Sequence, residues 1–308
     1  MSSVTTVMWF RRYLRLSDNP ALLDAAAGGR VLGLFVLDPL LWERSGAPRR
    51  EQLAASLHSL SASMGGRLVV RRGDPVAVVR QVAEEVGAVS VHVSADYAPY
   101  GQRRDREVEA SLKCPLVRTG SPYAVAPGRV LNQQGRPYQV FTPYFKAWLA
   151  HGWRQPVDAP ARVQWVTIRG QDLPRSSAVA GEQAALERWR AYDVAAYDED
   201  RDRPDLDSTS RMSVPLKYGE IHPRTMLADL IGERGPDRPG VEVRPGRRVR
   251  TALDPGTAAP RRQGRTRALE ARCHRLPVPG RRPRRGPPGG VAQVRGRSAL
   301  TDTRLQHL

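Results

Sequence analysis

The sequence predicts an α/β fold: a parallel sheet wrapped on both faces, followed by the start of an all-helical region and then a tail belonging to neither. Three observations carry this reading. Short β-rich runs alternate with helical periodicities over residues 4–120, and such alternation implies parallel strands joined by crossover helices. The runs are apolar throughout instead of every second residue, as in strands covered on both sides. Beyond Gly235 the aromatics vanish, and Arg, Pro and Gly take over.

The first strand is Val4–Phe10, expected at the sheet's centre. Ser17, Asp18 and Asn19 then offer N-cap oxygens, and Pro20 suits a first helical turn. Val31–Leu37 is the second strand. Leu53, Leu57, Leu60 and Met64 recur at helical spacing, and Arg67–Val70 is the third strand. Asp74-Pro75 opens a helix with Val76, Val79, Val82 and Val86 along one face. Val89–Val93 is the fourth strand, and a helix over Arg103–Leu112 follows. From Pro122 the alternation stops, and a proline-marked linker is expected over 131–175. Helices are predicted at Glu182–Asp198, from Ser213, and over Pro223–Glu233. The expected division is an α/β domain at 1–130, the linker, the beginning of a helical domain at 176–234, and the tail at 235–308.

Charge and composition narrow the function. The chain carries +18 overall, but residues 235–308 hold 18 Arg, no Lys and 5 acidic residues, so the basic excess belongs mainly to the tail. Two cysteines, Cys114 and Cys273, exclude a disulfide framework or multi-cysteine metal site. His58, His92, His151 and His222 are scattered without a metal-ligand spacing, so no metal is expected. No apolar run reaches the roughly 18 residues of a membrane span, and nothing resembles a signal peptide, so the expected setting is cytoplasmic, without a membrane partner. No Gly-x-Gly-x-x-Gly follows the first strand, no Gly-Lys-Ser/Thr loop occurs, and no Ser/His/Asp arrangement stands out. No catalytic side chain is therefore assigned.

Four blocks are more specific: Trp9-Phe-Arg-Arg-Tyr-Leu-Arg15 with Asp18-Asn-Pro-Ala-Leu22; Asp96-Tyr-Ala-Pro-Tyr100 with Arg104-Asp105; Tyr138 through Trp148; and Tyr197 through Thr209-Ser-Arg-Met-Ser213 to Leu216–Arg224. In order and spacing they resemble the DNA photolyase and cryptochrome family, from residue 4 to about 234. The resemblance implies a Rossmann-like N-terminal domain followed by an all-α domain holding FAD. It implies light-driven repair of cyclobutane pyrimidine dimers by an electron from reduced FAD, with dimer-containing DNA as partner and a monomeric protein. The rival readings are a cryptochrome-type photoreceptor and a non-enzymatic nucleic-acid binder acting through a basic arm.

By this resemblance Tyr197, Thr209, Ser210, Arg211, Met212 and Ser213 contact FAD, since hydroxyls and N–H groups at a helix start suit a diphosphate. An ordinary N-cap is the bland alternative for that cluster. Arg201 matches a DNA-contacting position, or is a solvated charge. Phe35, Val36, Leu37, Asp38, Arg49 and Asp96 match the pocket of a second, antenna chromophore, a deazaflavin or folate. Phe35–Leu37 read better as core, whereas Asp38, a carboxylate at a strand's carboxyl end, faces a ligand more readily. Tyr97–Gln102 lacks the Asn-Glu pair of some folate users, which leans toward deazaflavin.

Arg11, Arg12 and Arg15 are expected to be structural. Tyr13 stands where the family usually has Asp, removing a salt-bridge partner from the cluster. The chain has 46 Arg against 3 Lys, as GC-rich coding favours, and the abrupt loss of pattern at Gly235 leads us to expect an out-of-frame tail in preference to a natural basic arm. On that expectation the chain lacks competent flavin binding and catalysis.

Overall fold

The computed structural model describes residues 4–194, 197–200 and 202–231, so the tail lies outside the described residues, as does Arg201. The elements are β1 (Val4–Phe10), α1 (Pro20–Ala27), β2 (Gly29–Leu37), α2 (Pro39–Glu43), α3 (Ala47–Ser63), β3 (Val69–Arg72), α4 (Pro75–Glu85), β4 (Ser90–Val93), α5 (Pro99–Ser111), β5 (Leu116–Arg118), α6 (Phe141–His151), β6 (Gln164–Val166), α7 (Glu182–Ala191), α8 (Tyr197–Asp200), α9 (Ser213–Tyr218) and α10 (Pro223–Leu230).

The main path of the sheet runs β3-β2-β1-β4-β5 with all neighbours parallel, so β1 is central as expected. Successive β1 side chains enter different layers. Val7 and Trp9 pack with Leu32, Leu34, Val79 and Val108 on the side of α4 and α5. Met8 and Phe10 pack with Leu22, Leu57, Leu60 and Met64 on the side of α1 and α3. Two covered faces explain why the strands read as unbroken apolar runs.

Helix starts follow local chemistry. Asn19 accepts from the Leu22 N–H and Pro20 opens α1, while Asp74 accepts from Ala77 N–H ahead of Pro75 in α4. Helix α5 begins at Pro99, earlier than expected, because that proline presets the first turn. Helix α7 ends at Ala191, well short of Asp198.

The stretch 131–175, expected as a linker, carries secondary structure of its own. It contains α6, and it contains β6, which pairs with the outer edge of β2 at Arg30–Leu32, next to the stretch at Leu34–Leu37 that pairs with β3. Trp165 of β6 packs on the α1–α3 core. A side chain at Gly33 would lie 3.3 Å from the Trp165 ring and collide with Met64, so the missing Cβ admits both. Helix α6 buries none of its residues, and its rings stack in series, Phe141 on Phe145 and Phe145 on Trp148, with Trp148 in turn on Trp153 just past the helix.

The helical region has its own small core of Ala185, Trp189, Met212 and Ile221. Its connection to the sheet is largely polar, and Gly219 makes the close approach possible. Gly219 ends α9 in the left-handed region at φ 68°, and a Cβ there would meet the Arg12 carbonyl at 1.7 Å. No helix among the described residues is long and apolar enough to cross a membrane.

Candidate functional site

A cleft of about 500 Å³ opens between α7 and the turn before α9. Helix α7 contributes Arg188, the turn contributes Asp207 through Arg211, and Tyr192 and Asp200 complete the rim. The turn is shaped by Arg211, which takes a left-handed φ of 51°, and by the buried Met212, which plugs into the helical core. Arg211 pairs with Asp207 at 2.6 Å on the surface.

Of the expected flavin residues, Thr209, Ser210 and Arg211 line this cleft. Met212 anchors the turn from behind, Ser213 is the first residue of α9, and Tyr197 stands on α8, substantially exposed. Ser208 was not singled out by the sequence, yet its hydroxyl is buried without a hydrogen-bond partner inside the cleft. An orphaned hydroxyl beside Thr209 and Ser210, with the guanidinium groups of Arg188 and Arg211 and the carboxylates of Asp193, Asp200 and Asp207 on the same lining, fits a polar ligand that carries both phosphate and hydroxyl groups, such as FAD. Burial, with the neighbouring Tyr197, Asp193 and Asp200, pushes the Tyr192 phenol upward and keeps it a hydrogen-bond donor.

A second cleft, of about 380 Å³, lies beyond the carboxyl ends of β2 and β3, where sheets of this kind receive ligands. Asp38 is among its lining residues. One of its oxygens caps α2 by accepting from Leu40 N–H at 2.8 Å, and the other accepts from the Tyr100 hydroxyl. Burial and the Asp38 carboxylate push the Tyr100 pKa up to about 12. Arg103 and Arg104 lie over the Tyr100 ring, and Arg104 bridges to Asp96 at 3.3 Å. Asp38 and Asp96 thus meet at one end of the sheet through Tyr100 and Arg104.

The remaining antenna positions do not join them. Phe35, Val36 and Leu37 are 6%, 7% and 8% exposed and pack in the two cores, in keeping with their reading as core. Arg49 is exposed on α3, where its carbonyl accepts from the Tyr218 hydroxyl.

A buried polar hub ties the sheet to the helical region. Asp18, with φ 43°, accepts from Val157 N–H, bridges to Arg154 at 3.0 Å, and faces His222 Nδ1 at 3.0 Å. Burial alone would raise its pKa, but the His222 contact and the charges of His222, Arg154 and Arg15 hold it at about 2. Arg15 donates to the carbonyls of Ser17, Asp18 and Gly219, and Glu182 accepts from the N–H groups of Leu16 and Ser17. Arg11 pairs with Asp105 and donates to the Ser94 carbonyl. The arginines of the first block are therefore occupied within the protein, Arg12 excepted, which is exposed.

The family model for DNA photolyase matches residues 6–161. A deoxyribodipyrimidine photo-lyase of Thermus thermophilus is 34% identical over 240 residues, covering 74% of this chain and 54% of its own length. The deoxyribodipyrimidine photo-lyase of Streptomyces griseus is 35% identical over 240 residues, covering 70% and 52%. A class III photolyase structure from Agrobacterium tumefaciens superposes with a TM-score of 0.67 at 28% identity, covering 75% of this chain and 54% of that one. The chain spans about half the length of these relatives.

Proposed function

This chain belongs to the DNA photolyase family, and we propose that it is built for light-driven repair of cyclobutane pyrimidine dimers in DNA. The observation that carries the proposal is the Asp207–Arg211 turn, whose orphaned Ser208 hydroxyl faces the same cleft as Thr209 and Ser210. Reduced FAD, when bound, would supply the electron for dimer cleavage. The protein's part is to bind and orient. The hydroxyls of Ser208, Thr209 and Ser210 and the turn's N–H groups hold the diphosphate, Met212 keeps the turn in place, and Tyr197 and Ser213 flank it. Arg201 makes a positioning contact to a DNA phosphate. Asp38, Tyr100 and Asp96 support a second chromophore at the sheet's carboxyl end, and a deazaflavin is the proposed class.

A flavin pocket needs walls on several sides. Among the described residues, the cleft is lined by Arg188, Ala191, Tyr192, Asp193, Asp200 and residues 207–211. The expected outcome is weak, saturable FAD binding to the full chain, with little flavin retained through gel filtration. FAD fluorescence anisotropy, competed with ADP, measures it, and Ser208→Ala should weaken binding about tenfold, as loss of a hydrogen bond to a charged group does. Binding that ADP does not compete and Ser208→Ala does not change would count against the assignment.

A further inference from the structure

The third sequence block, Tyr138 through Trp148, lines neither cleft and belongs to none of the buried cores. It presents rings to solvent instead: Phe141 is 73% exposed and Tyr144 38%. Phe141, Phe145 and Trp148 share one face of α6, and Trp153 extends the row past the helix. Successive ring planes in this row differ by only 17°, 13° and 27°, with centroids 5.6, 6.4 and 4.7 Å apart. Tyr138 adds an edge contact on Tyr144 at 6.2 Å. Val140 and Leu149, both exposed, widen the apolar face. A contiguous exposed apolar surface of this kind marks an interaction site.

The surrounding charge selects among partners. No acidic residue occurs between Glu109 and Asp158, a stretch with six Lys or Arg and seven aromatics. Lys113, Arg118 and Arg154 are engaged by Glu84, Glu109 and Asp18. Arg129, Arg136 and Lys146 are exposed and form no salt bridge among the described residues. The Asn132 side chain accepts from the N–H groups of Gln134 and Arg136, a tight loop that fixes the Arg136 backbone two residues before Tyr138. Lys146 stands on α6 itself, directly after Phe145. A second copy of the chain would bring these cations onto themselves, with no carboxylate of the stretch to meet them. A strand of nucleic acid satisfies both features, since its bases stack on rings and its phosphates pair with cations. A duplex does not, because its base faces are already covered by their neighbours.

We propose that α6 is a stacking platform for single-stranded nucleic acid. Unpaired bases lie on Phe141 and the row of rings behind it, and Arg136 and Lys146 take the phosphates. The platform is separate from both clefts and does not rest on the flavin assignment.

The test titrates the full chain with short oligothymidylate or oligouridylate and reads tryptophan fluorescence. Inorganic polyphosphate serves as a polyanion without bases, because the arginine-rich tail can bind any polyanion. The expected result is saturable quenching by either oligonucleotide and none by polyphosphate or by a duplex of equal length. Phe141→Ala should weaken the quenching-detected affinity by about fivefold or more, as loss of one stacking ring does. Trp148→Phe keeps a ring but removes the reporter, so most of the quenching should vanish while a labelled strand still binds. Equal quenching by polyphosphate, or a titration unchanged in Phe141→Ala, would overturn the proposal. So would a chain that sediments as a dimer, turns monomeric on Phe141→Ala and is quenched by neither strand, since the face would then be a self-interface. Should Phe141→Ala fail to fold, Lys146→Gln decides the matter. It should flatten the logarithmic salt dependence of oligothymidylate binding by about 0.7, the share of one phosphate contact on a single strand. An unchanged slope would refute the platform.

Discussion

Asp18 shows how a residue's job can differ from the one its sequence context advertises. Ser17, Asp18 and Asn19 all have N-cap chemistry, but Asn19 alone caps α1. Asp18 is bent into the left-handed region and pairs with Arg154 and His222. Nothing local signals this, because those partners lie more than a hundred residues away. The consequence is an acid-sensitive joint. Asp18 titrates at about 2 when folded against a normal value of 3.8, so its stabilisation is complete above about pH 4 and is lost as pH falls toward 2. Asp18→Asn should remove roughly 2 kcal/mol of that acid limb, measured as the slope of unfolding free energy between pH 4 and 2. An unchanged slope would place the acid sensitivity elsewhere. Gly219 makes a second residue-scale case. With φ 68° and the Arg12 carbonyl 1.7 Å from where a Cβ would stand, Gly219→Ala should destabilise by about 3 kcal/mol or more in urea titration.

Among elements, length and periodicity decided what the sequence could reveal. Strands β1 and β2 have seven and nine residues, and their apolar runs locate them. Strand β6 has three residues and no period of its own, so only its pairing to β2 identifies it. Helix α6 carried a usable signal, since Phe141, Phe145 and Trp148 recur at helical spacing. Pro143 obscures it, although a proline in the first turn costs a helix little. Of the two clefts, the Thr209–Arg211 wall could be read from sequence. The Asp38–Tyr100 contact could not, because it joins residues 62 apart. If β6 is held chiefly by its aromatic anchor, Trp165→Ala should cost about 2 kcal/mol, below the range for a fully buried ring because Trp165 is only half-buried. Hydrogen exchange should then quicken at residues 30–32 and 164–166 while 34–37 stay protected by β3. Uniform quickening across β2 would mean that the two edge strands are not independent.

At the scale of the whole molecule, basic charge is distributed unevenly along the chain. Among the described residues, three arginines are engaged within the protein: Arg11 by Asp105, Arg15 by carbonyls and Arg154 by Asp18. Residues 235–308 hold 18 Arg against 5 acidic residues. Binding to DNA by such a segment is dominated by release of condensed counterions, a term indifferent to sequence and to damage. Preference for a dimer-containing duplex needs instead a cavity that receives the flipped lesion. The tail's contribution to binding should therefore be equal on intact and ultraviolet-damaged duplexes. Its affinity should fall steeply with salt, the logarithmic slope being about 0.9 per phosphate contacted. Replacing six tail arginines by Gln should flatten that slope by about 5, whereas Arg12→Gln, at an exposed position outside the tail, should change it by no more than about 1. Fluorescence anisotropy with matched intact and damaged duplexes across a salt series reads both quantities. A damaged-duplex preference that survives the tail substitutions would show that lesion recognition does not depend on the tail's charge and is carried by other residues of the chain.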